Sequence, residues 1–134
     1  MSSTAETKRI IQDFLFTATQ GPEGPEAAFD KYCDEDYIQH NPRISNGREG
    51  FIEFMTAVRA CKNFSVIDKR LIVEDDMVFV HAEVTGFHWP DEPEPETKIA
   101  WADIFRIENG KIKEHWDLYQ PIPNGPSKNG NPMV

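Results

Sequence analysis

The sequence predicts a single α+β domain, on three observations. Apolar residues recur at helical spacing through the N-terminal half, and after Asn63 they fall into β-branched and aromatic runs separated by turn residues. The length of 134 residues suits one domain, and a composition 39% hydrophobic and 11% aromatic can fill a core. Helices that precede consecutive strands, rather than alternating with them, lie over one face of an antiparallel sheet.

Ser3 and Glu6 stand at capping-box spacing, and Ile10, Ile11, Phe14, Leu15 and Ala18 follow on one side of a 3.6-residue period, which predicts a first helix over 4–19. Gly21-Pro22-Glu23-Gly24 ends it. Pro25 suits the first turn of a short second helix carrying Ala28, Phe29 and Tyr32. The segment Tyr37-Ile38-Gln39-His40-Asn41-Pro42 reads as extended, because Pro42 disfavours helical geometry at Asn41. A third helix is expected over about 48–62, entered through Asn46-Gly47, with Phe51, Ile52, Phe54, Met55 and Val58 on its apolar side.

Four strands follow at about 64–74, 77–87, 97–108 and 111–120. Glu74-Asp75-Asp76 makes a tight connection, the Pro- and acid-rich stretch 88–96 a longer one, and Glu108-Asn109-Gly110 the last hairpin. The end of the chain, PIPNGPSKNGNPMV, offers little to bury, so residues 1–123 read as the domain and 124–134 as a flexible tail, or as a cover for a pocket or a partner subunit.

Charge and motif content narrow the function. With 14 Lys and Arg against 23 Asp and Glu, the net charge of −9 repels phosphate backbones and anionic lipid, so neither nucleic acid nor a membrane is expected as partner. No apolar run approaches the ~20 residues of a bilayer crossing, and the start lacks a signal-peptide pattern, so a cytoplasmic protein is expected. Cys33 and Cys61 sit in stretches that read as helical and match no ligand spacing; both are expected to be free, buried thiols. HExxH, GxxxxGK, GxGxxG and GxSxG are all absent, and neither a metal nor an organic cofactor is expected.

Polar residues inside the strand pattern carry the chemistry. Trp101, Asp103, Phe105 and Ile107 alternate with Ala100, Ala102, Ile104 and Arg106; Ile112, Trp116 and Leu118 alternate with Lys113, His115, Asp117 and Tyr119. Apolar side chains on both faces predict a homodimer that covers the second one. A carboxylate such as Asp103 within an apolar strand must be hydrogen-bonded, protonated or at a cavity wall, unless the strand is a solvated edge. His115 and Asp117, two apart, project from one face. A three-residue loop Glu108-Asn109-Gly110 sets Asp103 opposite His115, which is the favoured register; a two-residue Asn109-Gly110 loop sets it opposite Trp116. A carboxylate beside an imidazole performs acid–base work near neutrality, or forms a structural hydrogen bond on a wet face. His40 is a loop histidine on a chain path fixed by Pro42, His81 shares a face with Phe79 and Glu83 and is either pocket-lining or solvated, and His88 and Trp89 belong to the acidic loop.

The strings YIQHNP, DIFRIENGKIKEHWD and QPIP, in this order of elements, resemble the SnoaL-like polyketide cyclase family of the nuclear transport factor 2-like superfamily, which also holds ketosteroid isomerase and limonene epoxide hydrolase. The resemblance spans about 5–123. It implies a cone-shaped fold with three N-terminal helices packed on a curved antiparallel sheet around a deep pocket, commonly in a dimer. It also implies aldol-type chemistry without metal or organic cofactor, with Asp117 at the acid–base position. Asp103 falls where the cyclases often carry His and the isomerases an acid, a departure from the cyclase pattern.

The expectation is a cofactor-independent acid–base enzyme of the cyclase or isomerase type acting on a small apolar carbonyl compound. Asp117 would be the base, oriented by His115, with a protonated Asp103 or a cationic His40 as donor to the enolate. Tyr37, His81, Trp101, Phe105 and Tyr119 are expected to contact substrate. A non-catalytic ligand-binding or protein-interaction module of the same fold is the competing class. Epoxide hydrolysis, the third, wants an Arg between two carboxylates, and Arg106 has the opposite strand parity.

Overall fold

A computed structural model describes residues 3–134. Helix α1 (Thr4–Thr19) begins where the Ser3 hydroxyl oxygen accepts the Glu6 N–H at 3.1 Å. Helix α2 (Pro25–Tyr32) has proline in its first turn and follows Gly24 at φ 92°, a left-handed conformation that suits glycine. Strand β1 (Cys33–Gln39), helix α3 (Gly47–Ala60) and strands β2 (Ser65–Glu74), β3 (Met77–Thr85), β4 (Ile99–Glu108) and β5 (Lys111–Pro121) complete the chain. Contrary to the helical reading of both cysteines, Cys33 opens β1 and Cys61 is the residue that caps α3; both are free and buried. The run Asp34-Glu35-Asp36 explains the early end of α2, since negative charge is unfavourable at a helix C-terminus.

The sheet order is β1-β5-β4-β3-β2. β1 lies parallel to β5, so the sheet is mixed at that edge, while the other pairs are antiparallel as expected. Bulges interrupt β2 between Asp68 and Arg70 and the β4–β5 ladder beside Ile107, and such extra residues bend a sheet. The three helices cover its inner face, where Phe14, Phe29 and Phe51 meet Val78, Val80 and Phe105 in one core.

The last hairpin corrects the favoured register. Glu108 pairs with Lys111, so the loop is the two residues Asn109 and Gly110, at φ 53° and 75°. That loop alone would set Asp103 against Trp116. Instead Ile107 opposes Ile112 while Arg106 opposes Glu114, so Lys113 is an inserted residue and the register slips once more. Asp103 therefore faces Asp117, and Phe105 faces His115. The bulge also turns Ile112 inward, away from the face of Trp116 and Leu118 assigned to it by simple alternation; it is fully buried, and Lys113 reaches Asp34 at 3.1 Å instead.

The outer face carries an apolar row across four strands: Ile72, Phe79, Ile104 and Trp116 are consecutive cross-strand partners. Residues 123–133 are exposed, whereas Val134 is buried.

Candidate active site

Between α1, α3 and the inner face of the sheet lies a cavity of about 320 Å³, at the lower end of small-molecule sites. Its walls are largely aromatic and aliphatic, among them Phe14, Phe51, Phe54, Phe87, Trp101 and Phe105. Asp103, His115 and Asp117 form its polar wall, with Tyr37 and Gln39 from β1 beside them.

Strand pairing brings these groups together. β1 runs parallel to β5 with Gln39 beside His115, and β4 sets Asp103 against Asp117. His115 Nε2 lies 2.8 Å from Asp103 Oδ1 and 4.0 Å from Asp117 Oδ2, and its Nδ1 lies 2.9 Å from Gln39 Oε1. Gln39 Oε1 also accepts the backbone N–H groups of His40 and Asn41, at 3.0 and 2.9 Å. It must be the carbonyl oxygen of the amide, so His115 Nδ1 carries a hydrogen and donates it. One further proton then lies between Nε2 and Asp103, either as imidazolium and carboxylate or as imidazole and carboxylic acid.

Asp117 is held differently. Its Oδ1 accepts from Asn41 Nδ2 at 2.8 Å, and the Asn41 amide is oriented in turn because its Oδ1 accepts the Arg43 N–H at 2.9 Å. Asp117 Oδ2 is buried without a hydrogen-bond partner among the described residues. Burial raises the carboxyl to a pKa of about 6, opposed by the His115 charge, reinforced by Asp103, and opposed again by Asn41 and the Trp101 indole. Tyr37 accepts from Gln39 Nε2 at 3.0 Å, which leaves its own O–H hydrogen without an acceptor among the described residues. Its phenol is held well above the ordinary range, first by burial and then by the charges of Cys33, Asp103 and Asp117.

Of the expected site residues, Asp103, His115, Asp117, Tyr37, Trp101 and Phe105 share this cavity. His40 does not. Next to inward Gln39 it has the opposite strand parity, stacks on Trp116 with ring centroids 4.7 Å apart, and its Nε2 lies 2.6 Å from Glu114 Oε2. His81 is corrected too: β3 turns Val78, Val80, Ala82 and Val84 inward, which puts His81 on the outer face, 2.9 Å from Arg70 Nη1. Tyr119 is not in the cavity wall but stacks on Trp101 at 4.3 Å and accepts from Trp89 Nε1 at 3.2 Å. Arg106, the cation an epoxide-opening site would want, is bound to Glu114 and Glu108 away from the cavity.

Gln39 and Asp68 line the cavity, and Asn41 supports Asp117 without lining it; sequence reasoning assigns no role to any of the three. Gln39 and Asn41 stand in the Gln-x-Asn-Pro stretch, which reads as extended from its Pro42. For a metal ion the donors would be Asp103, His115 and Asp117, whose ligand atoms lie within 4.8 Å of one another; the His115–Asp103 hydrogen bond occupies two of them.

Comparison with known proteins follows the same lines. The family model for the SnoaL-like domain matches residues 13–115. No curated protein matches the chain. Among solved structures, TsrD from Streptomyces laurentii is similar at 22% identity and a TM-score of 0.69, over 89% of this chain and 91% of that one. A candidate polyketide cyclase from Acidithiobacillus ferrooxidans is similar at 20% identity and a TM-score of 0.69, over 89% and 91%. A designed protein with a curved β-sheet reaches 22% identity and a TM-score of 0.66, over 91% and 89%. These likenesses establish the fold.

Proposed function

The chain belongs to the SnoaL-like domain family, and on that premise we propose that it is a cofactor-independent acid–base enzyme of the cyclase or isomerase type, acting on a small apolar carbonyl compound held in the cavity. Asp117 carries the reading. A buried carboxylate with one oxygen anchored by Asn41 and the other unpartnered at a cavity wall is what proton abstraction from carbon requires. A pKa of about 6 keeps it ionised near neutrality while leaving it basic enough to take a proton.

In this reading Asp117 Oδ2 removes the proton from a carbon alpha to a carbonyl, and the Tyr37 O–H donates to the developing enolate oxygen. The donors expected from the sequence are less well placed: His40 lies outside, and a proton on Asp103 is committed to His115. For an aldol closure the enolate carbon bonds to a second carbonyl carbon of the same substrate. That carbonyl's oxygen takes up the proton from Asp117 and the base is regenerated. For an isomerisation the proton returns to a different carbon. His115, fixed between Gln39 and Asp103, orients the polar wall.

The test is α-hydrogen exchange of a bicyclic ketone such as 2-tetralone in heavy water, followed by proton NMR. The protein should accelerate exchange, and Asp117→Asn should lose on the order of 10²-fold or more of the acceleration. Full exchange by the variant would overturn the base assignment. Absence of exchange with retained ketone binding would favour the binding-module class.

A further inference from the structure

The cavity holds carboxylates that the protein does not neutralise. Besides Asp103 and Asp117, Asp68 of β2 lines it, and among the described residues no Lys or Arg does; His115, the one cationic candidate among them in the wall, is already paired with Asp103. Arg43, Arg48, Arg106 and Lys113 pair with Glu92, Asp30, Glu114 and Asp34, Arg59 donates to backbone carbonyls of Thr17, Ala18 and Gly21, and Arg70 lies against His81 on the outer face. Asp117, with a side chain 3% exposed, keeps Oδ2 unpartnered. Asp68 is exposed as a residue although it lines the cavity, which places it where the cavity meets solvent, and among the described residues it has no ion-pair partner. Burial and the Asp103 charge both raise its pKa, a tension that a nearby cation would relieve.

We propose that the cavity selects a lipophilic cation: a protonated amine carried on an apolar body, the body lying among Phe54, Phe87, Trp101 and Phe105 and the ammonium group toward Asp68. Aromatic faces add to the preference, because ring quadrupoles attract an ammonium group even where it is partly exposed. The negative net charge of −9 favours its approach. This deepens the proposed function, and rests on it, by making the carbonyl substrate an amine as well; an anionic substrate such as a free carboxylic acid is selected against.

Three probes with a phenyl ring on the same five-atom chain separate charge from burial: 4-phenylbutylamine, pentylbenzene and 5-phenylpentanoate, whose carboxylate adds two oxygens, titrated with chelator present and read by quenching of tryptophan fluorescence, to which Trp101 contributes. The amine should bind about tenfold tighter than the hydrocarbon, the sum of a partly exposed ion pair and a cation–π contact, with the carboxylate weakest. Asp68→Asn should narrow the amine-to-hydrocarbon ratio about threefold, in a variant whose thermal unfolding shows it folded. An amine no tighter than the hydrocarbon, no binding by any probe, or a ratio indifferent to Asp68→Asn overturns the proposal. The readout is binding alone. Charge selection without α-hydrogen exchange would sink the catalytic reading only, and exchange without charge selection would sink this proposal only.

Discussion

Gln39 Oε1 accepts the Nδ1 hydrogen of His115 across 2.9 Å, and two backbone N–H groups prevent that amide from turning over. The tautomer of a buried ring is thereby fixed from the neighbouring strand. Long-range nitrogen–proton NMR should find the neutral His115 ring as the Nδ1–H tautomer. Gln39→Leu leaves His115 Nδ1 and the Asn41 N–H without that acceptor, while the His40 N–H keeps the His115 carbonyl at 3.0 Å, and should cost about 2 kcal/mol of stability, measured by denaturant unfolding. A neutral ring found as the Nε2–H tautomer would contradict the assignment.

Asp117 should trade stability for function. Its folded pKa of about 6 exceeds the ordinary 3.8, so between those values the native state binds more protons than the unfolded one, and stability falls as pH rises. The loss is complete above about pH 6 and amounts to about 3 kcal/mol at most. Asp117→Asn keeps an oxygen for Asn41 and removes the charge. It should therefore unfold at a higher temperature than wild type above neutrality, with the difference shrinking toward pH 4, the ordinary carboxylate value. A variant less stable than wild type at alkaline pH would show that burial of the carboxylate is not the strain described.

Tyr37→Phe should separate positioning from proton donation. The phenol hydroxyl accepts from Gln39 and offers its own hydrogen to the cavity. Removing it should lower kcat on the order of 10²-fold with little change in KM, because the donor is needed where charge develops. Equal loss in both Phe and Asp117→Asn variants combined, with no further drop in the double variant, would fit one shared step; an unchanged kcat in Tyr37→Phe would remove the tyrosine from it.

The elements were legible where periodicity is long. α1 falls on its expected bounds, and the β runs end at their turn residues, since capping and turn chemistry are local. The hairpin register was not, because a bulge is a compromise between distant requirements: Asn109-Gly110 dictates a type I′ loop, yet Ile112 and His115 both need the inner face. Inserting Lys113 satisfies both. The same limit explains the site. His115, Asp117 and Asp103 were visible as polar breaks in apolar strands. Gln39, which fixes His115, is one ordinary residue on β1, whose parallel pairing to β5 depends on chain ends far apart in sequence. His40 drew attention as an ionisable group, while strand parity turned it outward.

The outer apolar row sets the last expectation, a homodimer through the sheet. Ile72 and Phe79 are 56% and 36% exposed, Leu118 is 68% exposed, and with Ile104 and Trp116 they run across the curved sheet without a helix over them. An apolar surface of this kind is more favourable covered than wet, at about 25 cal/mol per Å². Sedimentation equilibrium at micromolar concentration should give a dimer. Leu118→Glu should shift it to monomer, since a charge placed in the contact beside the apolar row is desolvated without a partner, at a cost of several kcal/mol. Leu118 lies on the solvent side of β5, so the monomer should keep its fold and its cavity, and ketone exchange should survive. A wild-type protein that stays monomeric, or a variant that stays dimeric, would place the interface elsewhere or remove it.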